Sequence, residues 1–238
     1  MTTDNYLEAR QLSVSYGPKP VLANVGFALH SNELLCLIGH NGAGKSTLLK
    51  TLFGLIAPRS GEIYFRGERM KVVSPKVMSA AGVAIVPEGR GVFHGLTVQE
   101  ILRFGLKGAG VSSDKYDELV EGVFETLPLL KTFYSKRAGL LSGGQQQMVS
   151  IGRALISRPN CLLMDEPSIG LAPKLFHDLL DPIRERQQRT GMSIILVEQN
   201  IREAFRVSDR VYVMKSGSIV FEGLPSELSS HSRLMELY

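Results

Sequence analysis

Three short stretches of the chain hold residue types that can act on a polyphosphate. In "GHNGAGKST", residues 39–47, Gly39, Gly44, Lys45 and Ser46 match the spacing G-x4-G-K-[ST]. The stretch follows an apolar run of strand length and precedes a helical pattern. In that setting the loop Gly39, His40, Asn41, Gly42, Ala43, Gly44, Lys45, Ser46 and Thr47 is expected to wrap nucleotide phosphates with its backbone N–H groups and the helix N-terminus. Lys45 would reach the β- and γ-phosphates, and the Ser46 hydroxyl would ligate Mg²⁺. In "CLLMDEP", residues 161–167, two carboxylates close an apolar strand. Open α/β sheets bind ligands at such strand ends. Asp165 would then hold Mg²⁺, often through a water, and Glu166 would polarise the attacking water. Carboxylates before proline also serve simply to end a strand in a turn, and this stretch alone does not separate the two.

The third stretch, "LSGGQ" at 141–145, runs into a helix expected over 145–157. Ser142 and Gln145 have capping-box spacing, so the segment can be read as a helix start and no more. Gly143 and Gly144 are left over by that reading, because two glycines in a first helical turn weaken it unless something approaches the backbone closely. An anion at the helix N-terminus would be such a group. The question is why one chain needs two phosphate cradles.

The elements that must position these residues follow from the hydrophobic pattern. Short apolar runs ("ELLCLIG", "GVAIVP", "CLLMDEP", "SIILVEQ") alternate with helical patterns, which predicts an α/β fold with a mostly parallel sheet covered by helices. The first 30 residues and "GEIYFRGERM" at 61–70 read as strand and turn, predicting a small antiparallel sheet beside the main one. Between Gly89 and Pro159 strand signals give way to helical ones, "TVQEILRFGLKG" and "DKYDELVEGVFETL" among them, with a capping box at Thr97 and Glu100. The expected organisation is one domain over 1–238, with a core and β subdomain at about 1–88 and 159–238 and a helical lobe at about 89–158.

Composition narrows little further. The chain of 238 residues is 44% hydrophobic and 21% charged, within the ordinary range for a globular protein. Its apolar runs are far short of the roughly 18 residues a membrane-spanning helix needs. "MTTDNYLEAR" has acidic residues where a leader would be basic and apolar, so a cytoplasmic protein is expected. Cys36 and Cys161 lie in apolar strands without metal-type spacing and are expected to be buried reduced thiols. A net charge of +4 fits an anionic ligand, nucleic acid or a lipid surface and decides nothing.

Taken in order, "GHNGAGKST", "LSGGQ" and "LLMDEP" resemble the nucleotide-binding subunit of an ATP-binding cassette (ABC) transporter, and the resemblance runs over essentially the whole chain. It implies a P-loop ATPase with a RecA-like core that uses ATP and Mg²⁺. Tyr16 in "LSVSYG" would stack on adenine, against the alternative of a strand tyrosine half-buried in the small sheet. Two cassettes of this family sandwich two ATPs, each held by one subunit's phosphate loop and the other's signature segment. By that resemblance Ser142, Gly143, Gly144 and Gln145 serve the partner's nucleotide, which answers the question of the second cradle. The implied partners are a second, nonidentical ABC ATPase subunit, transmembrane permease subunits and, indirectly, a solute-binding protein. The implied place is the cytoplasmic face of the inner membrane.

Where many cassettes carry glutamine before the helical lobe, this chain has Glu88 in "VPEGR"; where they carry histidine after the strand that follows the carboxylates, it has Gln199 in "VEQN". Glu88 can ligate Mg²⁺ but adds charge near the γ-phosphate. Gln199 can donate an amide N–H to that phosphate but carries no proton or charge. The alternative is that both are solvated loop polars. Ala172 in "SIGLAP" stands where the family's turn has aspartate. None of the five histidines is assigned chemistry beyond the place of His40 in the loop. Together these segments resemble the LivF-type ATPase of branched-chain amino acid importers; urea-type importers tend to have glutamine at the Glu88 position. "GRGVFHGL" is expected to present Phe93 and Leu96 to the permease. A soluble cassette acting on DNA or ribosomes is the alternative, but the chain lacks the long coiled coils of the first and the doubled cassette of the second, and no nucleic acid is expected. A kinase or GTPase would leave "LSGGQ" without a role.

Overall fold

The computed structural model describes residues 5–109 and 112–228. Two long strands open the chain, β1 (Asn5–Tyr16) and β2 (Lys19–His30), paired antiparallel. Next comes β3 (Leu34–Ile38), then the phosphate-loop stretch and α1 (Lys45–Leu52). The segments β4 (Ser60–Phe65) and β5 (Glu68–Arg69) return to the first sheet, giving the order β2-β1-β4-β5. This is the small antiparallel sheet expected from the sequence. The helix α2 (Pro75–Ala80) leads to β6 (Val83–Val86).

Among the described residues four α-helices follow with no strand between them: α3 (Val98–Ala109), α4 (Tyr116–Thr126), α5 (Leu129–Thr132) and α6 (Gly143–Leu155). Both halves of the α3 capping box form: Glu100 N donates to Thr97 Oγ1 at 3.2 Å, and Thr97 N donates to Glu100 Oε2 at 2.7 Å. The box at α6 is also complete, with Gln145 N donating to Ser142 Oγ and Ser142 N to Gln145 Oε1. It sets Ser142 as the N-cap, so α6 runs two residues N-terminal of the expected 145–157 at both ends.

The chain then alternates: β7 (Cys161–Asp165), α7 (Pro173–Thr190), β8 (Ser193–Glu198), α8 (Ile201–Val207), β9 (Arg210–Lys215) and β10 (Ser218–Gly223). The six-stranded sheet has the order β10-β9-β3-β8-β7-β6, all parallel except the β9–β10 hairpin. That hairpin was not anticipated; Ser216 and Gly217 both have positive φ and make its tight turn.

Both faces of the main sheet are buried, as a parallel sheet requires. Leu34, Cys36 and Ile38 of β3 join the core under the helices, whereas Leu35 and Leu37 join a second core shared with the antiparallel sheet. The same alternation splits Leu162 and Met164 from Cys161 and Leu163 in β7. Cys36 and Cys161 are buried free thiols, and burial pushes both well up. Among the described residues no helix is long and apolar enough to cross a membrane.

Candidate nucleotide site

The centre of the site is the junction of β3 with α1. Gly44 sits at φ 105°, and a Cβ there would meet Leu22 Cδ2 at 2.7 Å, so only glycine fits between the loop and β2. No side chain caps α1 and its first turn holds no acidic residue. Its leading N–H groups therefore remain available, at the positive end of the helix, to an anion.

Asn41, Gly42, Gly44, Lys45, Ser46 and Thr47 line a cavity of about 310 Å³, opposite Glu88, Glu166, Ile169 and Gln199. Gly39 and Ala43 are buried beneath the loop, while His40 is exposed and contributes its carbonyl. The Lys45 ammonium, 4% exposed, donates to Gly39 O at 2.7 Å and His40 O at 3.2 Å, and lies 3.3 Å from Glu166 Oε1. Gln199 Nε2 donates to the other Glu166 oxygen, Oε2. Glu166 follows β7 with φ 49°, a left-handed backbone that a non-glycine residue adopts at a cost of about 1–3 kcal/mol and that aims the carboxylate into the cavity.

Asp165, fully buried at the end of β7, accepts from the Ser46 hydroxyl at Oδ1, 2.8 Å away. Among the described residues its Oδ2 has no hydrogen-bond partner, and Lys50 Nζ lies 4.0 Å from it. Burial raises the Asp165 pKa, with the Ser46 hydrogen bond and Lys50 opposing and Glu88 and Glu166 adding to the rise. An orphaned buried carboxylate oxygen beside a hydroxyl is a donor set that suits a hard divalent cation. Among the described residues no group of three or more His, Cys, Asp or Glu forms a metal cage. A metal here would have to share its shell with the nucleotide.

Each residue expected at the phosphate end is therefore in or under one cavity. Tyr16 is not among the residues that line it: it ends β1, 52% exposed, a position that fits the half-buried sheet tyrosine of the alternative. Its hairpin does reach the site, since Val21 of β2 lines the cavity. None of Ser142, Gly143, Gly144 and Gln145 lines it either, and Ser142 is exposed. The close approach at the glycines is met within the chain: a Cβ on Gly143 would lie 2.7 Å from Arg90 Nη2.

Two further residues belong to the site and were not singled out in the sequence analysis. Glu198, the last residue of β8, is buried; it accepts from Ser168 N at 3.0 Å and Ser168 Oγ at 2.7 Å, fixing the turn that follows Glu166. Burial raises its pKa, against hydrogen bonds from Ser168 and from the backbone beyond it. Lys50, one turn along α1 from Ser46, supplies positive charge 4.0 Å from Asp165. Its i+4 spacing from Ser46 was the legible hint.

Residues 22–169, well over half of the chain, match the ABC transporter family. The chain is 41% identical over 228 residues to the high-affinity branched-chain amino acid transport ATP-binding protein BraG of Pseudomonas aeruginosa, covering 96% of this chain and 97% of the relative. To the probable branched-chain amino acid transport ATP-binding protein LivF of Archaeoglobus fulgidus it is 32% identical over 231 residues, 97% of each chain. Among solved structures, an ATP-binding cassette of an ABC transporter superposes with a TM-score of 0.87 at 29% identity over 99% of both chains. A nucleotide-free cassette does so with 0.85 at 26%, over 98% of this chain and 94% of that one. With a loop of phosphate-binding spacing, two carboxylates at the end of β7 and a mostly parallel sheet already in place, these likenesses lead to one conclusion: the chain belongs to the ABC transporter family and is one of its ATP-binding, ATP-hydrolysing subunits.

Proposed function

We propose that the chain powers uptake of branched-chain amino acids as one ATPase subunit of an importer, bound to permease subunits at the cytoplasmic face of the membrane. The observation that carries the ATPase chemistry is the convergence of Lys45, Ser46, Glu166 and Gln199 on one cavity, with Asp165 buried behind Ser46 and hydrogen-bonded to it. The substrate class rests on likeness to BraG and LivF over nearly the full length. The whole chain acts as one ATPase domain, with residues of about 89–158 as its helical lobe.

In this reading the loop N–H groups and Lys45 hold the β- and γ-phosphates, and Tyr16 stacks on the adenine. Ser46 and Asp165 would hold Mg²⁺, with Glu88 in the same cavity wall as a further oxygen ligand; when bound, the metal would neutralise phosphate charge. Lys45 and Gln199, which grip both oxygens of Glu166 in the free chain, turn to the γ-phosphate and release Glu166 to take a proton from water. Ser142 to Gln145 stay outside this cavity and present the N-terminus of α6 to ATP held by a second cassette. Beside them, Leu96, Glu100, Arg103, Phe104 and Tyr116 line a groove of about 560 Å³, and the exposed Phe93 ring packs 6.2 Å from Phe104. An apolar pair left open at its mouth suits a helix of the permease.

The test is uptake of labelled leucine, isoleucine and valine by cells whose own copy is replaced by Lys45→Ala. Uptake should fall to background for these solutes and persist for unrelated ones. Unchanged uptake of all three would refute the substrate assignment.

A further inference from the structure

Behind Glu166 and Ile169 lies a second cavity, of about 340 Å³, which shares those two residues with the nucleotide cavity. Its other walls include Arg90 and His94, from the loop after Glu88, and Gln146 and Gln147 of α6. The mechanism above uses none of these four.

Arg90 forms no ion pair among the described residues. Its Nη1 donates to Gln146 Oε1 at 3.2 Å, and its guanidinium lies over the backbone of Gly143 and near Gly170. That is the N-terminal turn of α6, where the helix dipole disfavours a cation and favours an anion. Arg153 stands behind the same loop, its Nη1 donating to Gly91 O at 2.9 Å, again with no ion pair among the described residues. The one carboxylate in the wall, Glu166, is already held by Lys45 and Gln199. Gln147 gives the independent sign of a ligand. The residue is 4% exposed and lines the cavity, and its side chain makes no hydrogen bond among the described residues. Among them, the fully buried side-chain atoms without a partner are Ser150 Oγ and Asp165 Oδ2, so the Gln147 amide opens onto the cavity, where a bound group would take its N–H.

From this geometry we infer that the second cavity binds inorganic phosphate, as the first resting place of the γ-phosphate after hydrolysis, held by Arg90 and Gln147. The inference rests on the ATPase reading. No bond changes in the step: water has already added to the γ-phosphorus, ADP has left with the bridging oxygen, and the phosphate dianion moves past Glu166 into the neighbouring cavity. The arginine supplies charge-assisted donors and Gln147 an amide N–H, the groups a phosphate oxygen takes.

The experiment is ³¹P NMR line broadening of inorganic phosphate by the nucleotide-free chain, with MgATP affinity of the unsubstituted chain measured beside it. Lys45→Ala disables the phosphate loop, and broadening should survive it. Gln147→Leu should weaken phosphate binding roughly tenfold, as loss of one hydrogen bond to a charged group implies. Gln147→Glu, nearly the same shape, should abolish it, and Arg90→Lys should retain more binding than Arg90→Ala. Broadening that vanishes in Lys45→Ala but is unchanged in Gln147→Leu and Gln147→Glu would place all the phosphate in the loop and overturn the inference. So would a site that answers only to the terminal phosphate of ATP in paired cassettes and never to free phosphate. Absent phosphate binding with MgATP binding intact sinks this inference alone, whereas absent MgATP binding sinks the ATPase reading and this inference with it.

Discussion

Replacing Lys45 by alanine should damage nucleotide binding and the free protein together, because in the free chain its ammonium holds three oxygens. It donates to Gly39 O at 2.7 Å and His40 O at 3.2 Å and lies 3.3 Å from Glu166 Oε1. On binding, the Glu166 contact is exchanged for phosphate oxygens. A hydrogen bond to a charged group contributes about 1.5–3 kcal/mol, so MgATP should bind about 10- to 150-fold more weakly. In the free chain Glu166, 7% exposed, would keep only Gln199 as a partner. Because it faces a cavity that water can enter, the lower range of about 1–3 kcal/mol for an unsatisfied group applies. For a chain of this length that lowers Tm by about 2–12 °C. Titration calorimetry with MgATP and differential scanning calorimetry read the two effects separately. An affinity within about threefold of the unsubstituted protein, with Tm unchanged, would refute the placement of Lys45.

Three further substitutions separate the parts of the site. Ser142→Arg adds bulk and charge at the start of α6, outside the nucleotide cavity; MgATP affinity of the isolated chain should stay as it is while hydrolysis by the assembled transporter is lost, and equal loss of affinity would place "LSGGQ" within its own chain's site. Gln199→His should introduce into single-turnover hydrolysis a pH limb near the histidine reference value of about 6.5 that the unsubstituted chain lacks; a limb already present, and removed by mutating one of the chain's own histidines, would mean another group is the switch. Thr97→Ala should cost about 1 kcal/mol at neutral pH by removing the cap of α3. The Thr97 backbone N–H and hydroxyl hold the Glu100 carboxyl below its ordinary value of 4.5. A lowered carboxyl gives stability that is present above that value and lost as pH falls through the folded one. Melts of the two proteins should therefore differ less in strong acid than at pH 7, and a constant gap would rule the carboxylate out.

The parts of this molecule legible in its sequence were those under local control. Apolar runs bounded by glycine and polar residues gave β3, β6, β7 and β8, and capping boxes marked the start of α3 and, to within two residues, that of α6. The phosphate loop and the two carboxylates lie at the ends of those strands, so finding the strands placed the site. What escaped depends on packing between distant segments. The β9–β10 hairpin has a weak alternation because β9 is buried on both faces. Glu198 reads as an ordinary strand-end residue until Ser168, 30 residues away, is brought against it. A Cβ on Gly143 would meet the guanidinium of Arg90, far off in sequence, a contact that the local pattern could not show.

The most direct test concerns Glu166, the carboxylate that Lys45 and Gln199 hold between them. Glu166→Gln keeps the shape and one accepting oxygen but cannot take a proton from water. The measurement is MgATP affinity and single-turnover hydrolysis of this variant, assembled with its second cassette and permease. The expected result is affinity like that of the unsubstituted protein, with hydrolysis slowed by about 10²-fold or more. Hydrolysis at the unsubstituted rate from the nucleotide this chain holds would contradict the assignment of Glu166 as the base and, with it, the chemistry drawn from the site.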